Sequence, residues 1–221
     1  SLADFVAFMR EAERHGIRVL PDLVLNHTSD EHPWFRAARH DRRAAERAYY
    51  VWTDDPAAEA PLEEVFPGQQ CGAWTWEPLV GAWYLHHFYP FEPDLDTLNP
   101  DVQREMRAIL EFWLRLGASG FRIDAAPYLC SCDTGGAADV DAPQVLATMR
   151  GWAAERDPEA VLMAEADLPP DRLAAYFCDD GGRQILFDFL RNQHLFLALA
   201  RGEAAPLRTL ALPEPPPGGQ W

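Results

Sequence analysis

The chain has 221 residues, of which 48% are apolar and 24% charged, and this composition is typical of a globular protein. Its formal charge is −16, because 35 acidic residues outnumber 19 basic ones. A chain this acidic lacks the positive surface that nucleic acid or anionic lipid requires, and no apolar run is long enough to span a bilayer. We therefore expect no nucleic-acid partner, no membrane partner, and a neutral or cationic small-molecule ligand.

Four cysteines are spread along the chain, at Cys71, Cys130, Cys132 and Cys178. They are too sparse for a disulfide scaffold, and the single C-x-C pair lacks the second pair that a zinc site needs. The sequence therefore predicts reduced thiols. The first residues predict an amphipathic helix rather than a signal peptide, so we expect a cytoplasmic location.

The N-terminal elements predict one helix followed by one strand. Ser1 is positioned to cap a helix, Asp4 stands three residues later, and apolar residues recur at helical spacing up to Gly16. Residues 17–25 are a β-rich apolar run that predicts a buried strand. Residues 28–98 are crowded with prolines, turn formers and aromatics, and this stretch is too long to be an ordinary connection. We predict an inserted loop-rich subdomain, with most of its aromatics forming its own small core.

The second half of the chain alternates between helix and strand. Asn99 predicts a helix cap, Pro100 fits the first helical position, and an apolar stripe continues to Gly117. The following elements are predicted as strand 120–124, helix 142–155, strand 160–165, helix 171–177, strand 184–189, helix 192–201 and a Pro- and Gly-rich tail at 212–220.

This alternation predicts parallel strands joined by helical crossovers, in either a doubly wound sheet or a closed barrel. No glycine-rich phosphate loop follows a strand, which disfavours dinucleotide binding. Polar residues instead follow the carboxyl ends of several strands, and that is where a barrel gathers its catalytic groups. The barrel is the favoured fold.

Asp124 and Glu165 each close an apolar strand, and two carboxylates suffice for cleavage of a glycosidic bond. Either carboxylate could alternatively cap the next helix. Arg122 lies two residues before Asp124 on the same face of its strand, so we expect it to lower the pKa of Asp124 and keep it ionised. Apolar neighbours of Glu165 are expected to raise its pKa, as a general acid requires.

Three short motifs resemble those of the α-amylase family of glycoside hydrolases. Residues 22–27 (DLVLNH), 120–125 (GFRIDA) and 164–166 (AEA) are similar to the motifs of that family's third, fourth and fifth barrel strands. Residues 27–35 and 124–129 resemble the trehalose synthases within the family. The resemblance implies an α/β fold that is part of a (β/α)₈ barrel, about strands three to six, with an insertion after strand three.

The resemblance also implies a domain organisation. Residues 1–27 would form a barrel segment, residues 28–98 the inserted subdomain, and residues 99–221 a second barrel segment that stops before strand seven. The family's N-H-D motif, which carries a third carboxylate, is absent from these residues. We therefore expect an internal part of a longer enzyme that has little or no activity by itself.

The resemblance implies a role for each matching residue. Asp124 would be the nucleophile, Glu165 the acid/base, and Arg122 would orient Asp124. His27 would bind the sugar and Asp22 would brace its strand end. The implied chemistry is retaining α-glucosidase or α-glucosyltransferase action on short α-glucosides, most closely maltose-to-trehalose isomerisation. Hydrolysis within the same family, or an inactive sugar-binding or partner-binding relative, stays as an alternative.

A calcium site is a further implication of the resemblance. Its ligands would be Asn26, Asp94 and backbone oxygens of Tyr128 and Leu129, and oxygen ligation suits this hard cation. Ser131 stands where the family has a glutamate, so the implied site lacks one charge and bound calcium is left open.

Two neighbouring histidines, His86 and His87, are also potential metal ligands. We assign them to the surface or the interior of the inserted subdomain. Neither they nor the C-x-C pair predicts a metal site.

Overall fold

The structure is a computed structural model. It describes every residue except 60, 63, 67, 70, 71, 131–137, 178–183, 213, 216 and 218, and of residues 138–140 it describes only the backbone. Cys71, Ser131, Cys132 and Cys178 therefore lie outside the described residues. The chain divides into two compact units, which we describe separately. The first comprises Ser1–Leu23, Glu111–Pro127 and Leu146–Trp221, and the second comprises Val24–Leu110 and Tyr128–Val145.

The α-helices of the described residues follow the predicted order with some additions. They are α1 (Leu2–Arg14), α2 (Pro33–His40), α3 (Pro100–Arg115), α4 (Ala138–Arg156), α5 (Pro170–Leu173), α6 (Phe189–Arg201) and α7 (Ala205–Arg208). Short 3₁₀ helices cover Ala45–Tyr49, Ala126–Tyr128 and Ala174–Tyr176. Within the described residues, no helix has both the length and the apolar character that crossing a bilayer demands.

The predicted helix caps are present. The Ser1 hydroxyl accepts from the Asp4 amide while the Asp4 carboxylate accepts from the Ser1 ammonium, which together form a capping box at α1. At α3, the Asn99 side chain accepts from the amides of Asp101 (2.8 Å) and Val102 (3.4 Å). These caps satisfy backbone donors that lack partners within the first turn.

The first unit contains a wholly parallel sheet, and this confirms the predicted α/β fold. Its strands, in spatial order, are β1 (Asp22–Leu23), β5 (Gly120–Ile123), β6 (Val161–Ala164), β7 (Gln184–Leu186) and β8 (Gly219–Gln220). Strand β1 is much shorter than the predicted 17–25. The sequence did not predict β8, because the Pro- and Gly-rich tail shows no strand pattern. This short strand is formed by parallel pairing with β7.

The start of β5 explains the glycine of the G-F-R-x-D motif. Gly120 has φ +146°, and a Cβ built on it would lie 1.9 Å from the Val161 carbonyl oxygen of β6. No other residue type fits this close backbone approach. Gly120 therefore permits the register in which Arg122 pairs with Met163 and Ile123 with Ala164.

The second unit is more regular than the sequence indicated. Besides α2, it contains an antiparallel sheet in which β4 (Ala82–Leu85) lies between β2 (Trp52–Thr53) and β3 (Trp74–Glu77), and the prediction of a loop-rich segment missed both elements. An aromatic core is present but is smaller than predicted, since among the described aromatics of residues 28–98 only Phe35, Tyr50 and Tyr84 are buried. Its centre is the fully buried Phe35 ring, whose centroid lies 5.0–5.8 Å from those of Tyr50, Trp52 and Tyr84.

Candidate active site

Backbone pairing continues past the carboxyl ends of β5 and β6 and positions two carboxylates. Asp124 follows β5 and Glu165 follows β6. The Glu165 amide donates to the Ile123 carbonyl (3.0 Å), and the Ala126 amide donates to the Glu165 carbonyl (3.1 Å). Because the carboxyl ends of neighbouring parallel strands share one edge of the sheet, the two side chains project from adjacent points of a rigid frame.

A single guanidinium connects the carboxylates. Arg122 Nη1 lies 2.8 Å from Asp124 Oδ1 and 3.2 Å from Asp22 Oδ2, and Arg122 Nη2 contacts Glu165 Oε2. We call Asp22, Arg122, Asp124 and Glu165 the Arg122 cluster. The structure thus brings together four of the five residues that the sequence assigned to catalysis and substrate binding.

The Arg122 cluster is open enough to be reached by a ligand. The side chains of Arg122, Asp124 and Glu165 keep 25–32% of their surface exposed, and that of Asp22 keeps 61%. These groups are therefore partly desolvated, which strengthens their mutual interactions without sealing them from substrate.

The environment of the cluster shifts the pKa values of Glu165 and Arg122. Burial raises the pKa of Glu165, and the negative charge of Asp124 raises it further, while Arg122 opposes the shift. This confirms the direction expected for Glu165. Burial lowers the pKa of Arg122, but the hydrogen bond to Asp124 and the charges of Glu165 and Asp22 raise it overall, so the guanidinium stays charged. A glutamate with a raised pKa beside a permanent cation is suited to donate a proton.

The backbone is strained directly after Asp124. Ala125 has φ +49°, a left-handed conformation that costs a non-glycine residue about 1–2 kcal/mol. The turn leads into the 3₁₀ helix Ala126–Tyr128 and is held by the bond from Ala126 to Glu165. Strain retained at such a point is common where a side chain must be held in a working position.

Phe187 is a neighbour of the Arg122 cluster that the sequence did not single out. Its ring centroid lies 5.9 Å from the Arg122 guanidinium carbon, and its amide donates to the Ala164 carbonyl (3.4 Å). The predicted strand 184–189 included Phe187, whereas β7 ends at Leu186 and leaves Phe187 at the edge of the sheet.

His27 belongs to the second unit and is described there. Its Nδ1 lies 2.8 Å from Asn26 Oδ1, and its half-buried ring packs edge-on against Phe88 at 5.5 Å between centroids. Paired with Asn26 in this way, the imidazole has a fixed orientation.

The residues predicted to bind calcium also lie in the second unit. Asn26 Nδ2 donates to the Tyr128 carbonyl oxygen (2.5 Å), and Asn26, Asp94 and Leu129 are fully buried. The Leu95 amide donates to the Asn26 carbonyl (2.8 Å), so the segments carrying Asn26 and Asp94 are paired. The predicted residues therefore share one region of this unit.

The atoms around the Asp94 carboxylate do not suit calcium. Asp94 Oδ2 contacts His87 Nδ1 and lies 3.8 Å from Cys130 Sγ, while Oδ1 accepts from the His87 amide (3.2 Å). Calcium prefers oxygen, whereas this carboxylate is flanked by nitrogen and sulfur. We call this arrangement the Asp94 cluster (His87, Asp94, Cys130). Sequence reasoning missed it because Cys130 lies 36 positions from Asp94.

The first unit has a parallel α/β sheet with arginine-linked carboxylates after neighbouring strands. This arrangement is typical of (β/α) barrel proteins, which gather functional groups at their strand ends. The chain belongs to the α-amylase family: the family model described as the α-amylase catalytic domain matches residues 1–207. The described sheet is part of such a barrel.

Individual relatives agree with this assignment. The trehalose synthase/amylase TreS of Mycolicibacterium smegmatis is 36% identical over 220 residues, which are 96% of this chain and 37% of that protein. The oligo-1,6-glucosidase of Parageobacillus thermoglucosidasius is 40% identical over 126 residues, 56% of this chain and 22% of that protein. The solved structure of the α-glucosyl transfer enzyme XgtA gives a TM-score of 0.73 at 26% identity and covers 97% of this chain and 46% of that one.

Proposed function

We propose that this chain carries the catalytic carboxylates of a retaining enzyme acting on short α-glucosides. Asp124 is the nucleophile, Glu165 the acid/base, and Arg122 the residue that orients both. The observation that supports this proposal is the single guanidinium bridging two carboxylates from adjacent strands. One carboxylate is thereby presented for attack, while the other has a raised pKa and can donate a proton.

The proposed reaction has two steps. In the first, the Asp124 carboxylate attacks the anomeric carbon, the glycosidic C–O bond breaks, and Glu165 gives its proton to the departing oxygen. In the second, Glu165 takes a proton from an incoming hydroxyl, whose oxygen attacks the anomeric carbon and displaces Asp124. Two inversions leave the configuration unchanged.

We further propose that the incoming hydroxyl belongs to the released glucose, so that maltose becomes trehalose. Similarity to a trehalose synthase over nearly the whole chain supports this choice. Hydrolysis, in which water is the acceptor, is the second candidate, supported by the higher identity to a glucosidase over about half of the chain. Product analysis of the full-length protein on maltose separates the two: trehalose supports isomerisation, and glucose alone supports hydrolysis.

A covalent intermediate is the direct test of the mechanism. We expect a mechanism-based fluoroglucoside to label the full-length protein once, on the peptide that contains Asp124, as read by mass spectrometry. The Asp22→Asn variant, in which another Arg122 partner is altered, should still be labelled at Asp124. Labelling at another residue, or of an Asp124→Asn variant, would contradict the assignment.

A further inference from the structure

The Asp94 cluster has the composition of a transition-metal site. His87, Asp94 and Cys130 each offer one ligand atom, and these three atoms lie within 4.8 Å of one another. Imidazole nitrogen, carboxylate oxygen and thiolate sulfur are the three ligand types that Zn²⁺ accepts. The ligands of a tetrahedral Zn²⁺ stand about 3.3–3.7 Å apart, given its usual bond lengths. The distance from Cys130 Sγ to Asp94 Oδ2, 3.8 Å, is close to this spacing, whereas His87 Nδ1 contacts Asp94 Oδ2 directly, so a metal ion would replace that hydrogen bond and separate the two atoms.

Because this cluster is buried, its net charge decides which metal ion it can hold. His87 is 5% exposed, and Asp94 and Cys130 are fully buried. A buried carboxylate is costly unless its charge is compensated. A divalent cation with one carboxylate, one thiolate and one neutral imidazole forms a site of zero net charge. A calcium ion held by Asp94 as its one anionic ligand would instead leave a net positive charge in the same buried space.

The three ligands are held by backbone pairing that does not depend on a metal. The Asp94 amide donates to the Leu85 carbonyl (3.0 Å), two residues before His87. Thr97 donates to the Cys130 carbonyl through both its amide (2.7 Å) and its hydroxyl (2.8 Å). The cluster is therefore preorganised on a rigid frame, which reduces the entropy lost when a metal is bound.

A hydrogen bond orients the Asp94 carboxylate in the same way that supporting bonds orient metal ligands. The His87 amide donates to Asp94 Oδ1 (3.2 Å) and leaves Oδ2 directed at the imidazole and the thiol. Such bonds to a ligating carboxylate are common at metal sites. The Leu95 carbonyl oxygen, 3.9 Å from Cys130 Sγ, is a candidate fourth donor.

We propose that His87, Asp94 and Cys130 bind a structural transition-metal ion of the Zn²⁺ type. The site is distinct from the Arg122 cluster and stabilises the second unit, whichever reaction the enzyme catalyses. It shares Asp94 with the calcium site that the family resemblance implies, but its other ligands are an imidazole nitrogen and a thiolate sulfur.

Metal binding by the full-length protein is the first test. After removal of metals with a chelator, titration with Zn²⁺ alone is expected to show one equivalent bound with a Kd below about 1 µM. Ca²⁺ under the same conditions is expected to bind at least about 100-fold more weakly. Preference for Ca²⁺, or no Zn²⁺ binding, would overturn the proposal.

Ligand variants identify the site. Cys130→Ser is expected to weaken Zn²⁺ binding at least about 100-fold and to abolish the thiolate-to-metal charge-transfer absorption of the Co²⁺-loaded protein. His86→Gln, which alters the buried neighbour of His87, and Cys178→Ser, which alters another thiol, are expected to retain both signals. Loss of binding in a control variant with retention in Cys130→Ser would contradict the ligand set.

A measurement on the unaltered protein covers the case in which Cys130→Ser does not fold. X-ray absorption of the Zn²⁺-loaded protein is expected to show one sulfur and two or three nitrogen or oxygen neighbours. A coordination shell of oxygen and nitrogen alone would exclude Cys130 and overturn the proposal.

Discussion

The Arg122 cluster and the Asp94 cluster place the same kind of residue in opposite environments. Both contain a carboxylate beside a nitrogen donor, but the carboxylates around Arg122 remain between about a quarter and three-fifths exposed, while Asp94 is fully buried. Exposed carboxylates can exchange a protein partner for substrate. A buried carboxylate has to be satisfied permanently within the fold. Burial, rather than residue type, separates the carboxylates that we propose react from the carboxylate that we propose has a structural role.

The largest expected effect is a loss of kcat/KM, and it compares two carboxylates that pair with the Arg122 guanidinium. Asp124→Asn should lower kcat/KM on maltose by about 10³-fold or more, because it removes the proposed nucleophile. Asp22→Asn removes a charge from the same Arg122 but should lower kcat/KM less than about tenfold. Steady-state kinetics on the full-length proteins measures both, and equal losses would show that the cluster acts through charge alone.

Burial should also decide how much each carboxylate contributes to the free energy of unfolding. Asp94→Ala is expected to cost about 3–5 kcal/mol of unfolding free energy, since it leaves buried partners without their carboxylate. Asp22→Ala removes a carboxylate that is 61% exposed and should cost less than about 1 kcal/mol. Urea denaturation reports both values. Similar losses for the two variants would mean that exposure does not separate the clusters.

Gly120 and Gly151 form a matched pair within the first unit. Gly120→Ala should destabilise the protein by about 3 kcal/mol or more, because its Cβ would collide with the Val161 carbonyl. Gly151 lies within α4 with open space around its Cα, so Gly151→Ala should stabilise by about 0.5–1 kcal/mol. Thermal or urea unfolding measures the two signs, and a tolerated Gly120→Ala would refute the close approach of β5 and β6.

The smallest expected effects are shifts in the pKa of Glu165. Asp124→Asn removes a negative charge and should lower this pKa, whereas Arg122→Gln removes a positive charge and should raise it. NMR titration of isotope-labelled glutamate side chains, assigned with Glu165→Gln, follows both changes. An unchanged pKa in both variants would mean that burial alone sets it.

The raised pKa of Glu165 also has a consequence for stability. Between its ordinary value and the raised one, the folded protein holds the proton more tightly than the unfolded chain. The contribution of Glu165 to stability therefore falls as pH rises through that interval. Glu165→Gln should remove this decline, and urea denaturation across the interval would detect it.

Much of the Arg122 cluster could be predicted because its information is local. Arg122 and Asp124 are two residues apart on one strand, and Glu165 ends the next strand along the chain, so the period of a strand and the rule for parallel strand ends suffice. Phe187 escaped prediction because its contact with Arg122 depends on where β7 lies in the sheet. The sequence pattern at that position shows only another apolar residue.

The Asp94 cluster could not be predicted in this way. His87 and Cys130 are 43 positions apart, and neither belongs to a motif that is complete enough to predict a metal site. The sheet of the second unit was missed for a related reason. Its strands are short and rich in aromatics, and their alternation is hidden by turn residues on either side.

The sequence by itself determined the alternating α/β pattern, the family, and the positions of the carboxylates with their arginine. These features rest on periodicity and on motifs shorter than ten residues, which local stereochemistry specifies. The tertiary structure alone decided which donors surround Asp94, which residues are buried, and why Gly120 admits no side chain. Those properties arise when segments distant in the chain come within a few ångströms, where packing and desolvation act.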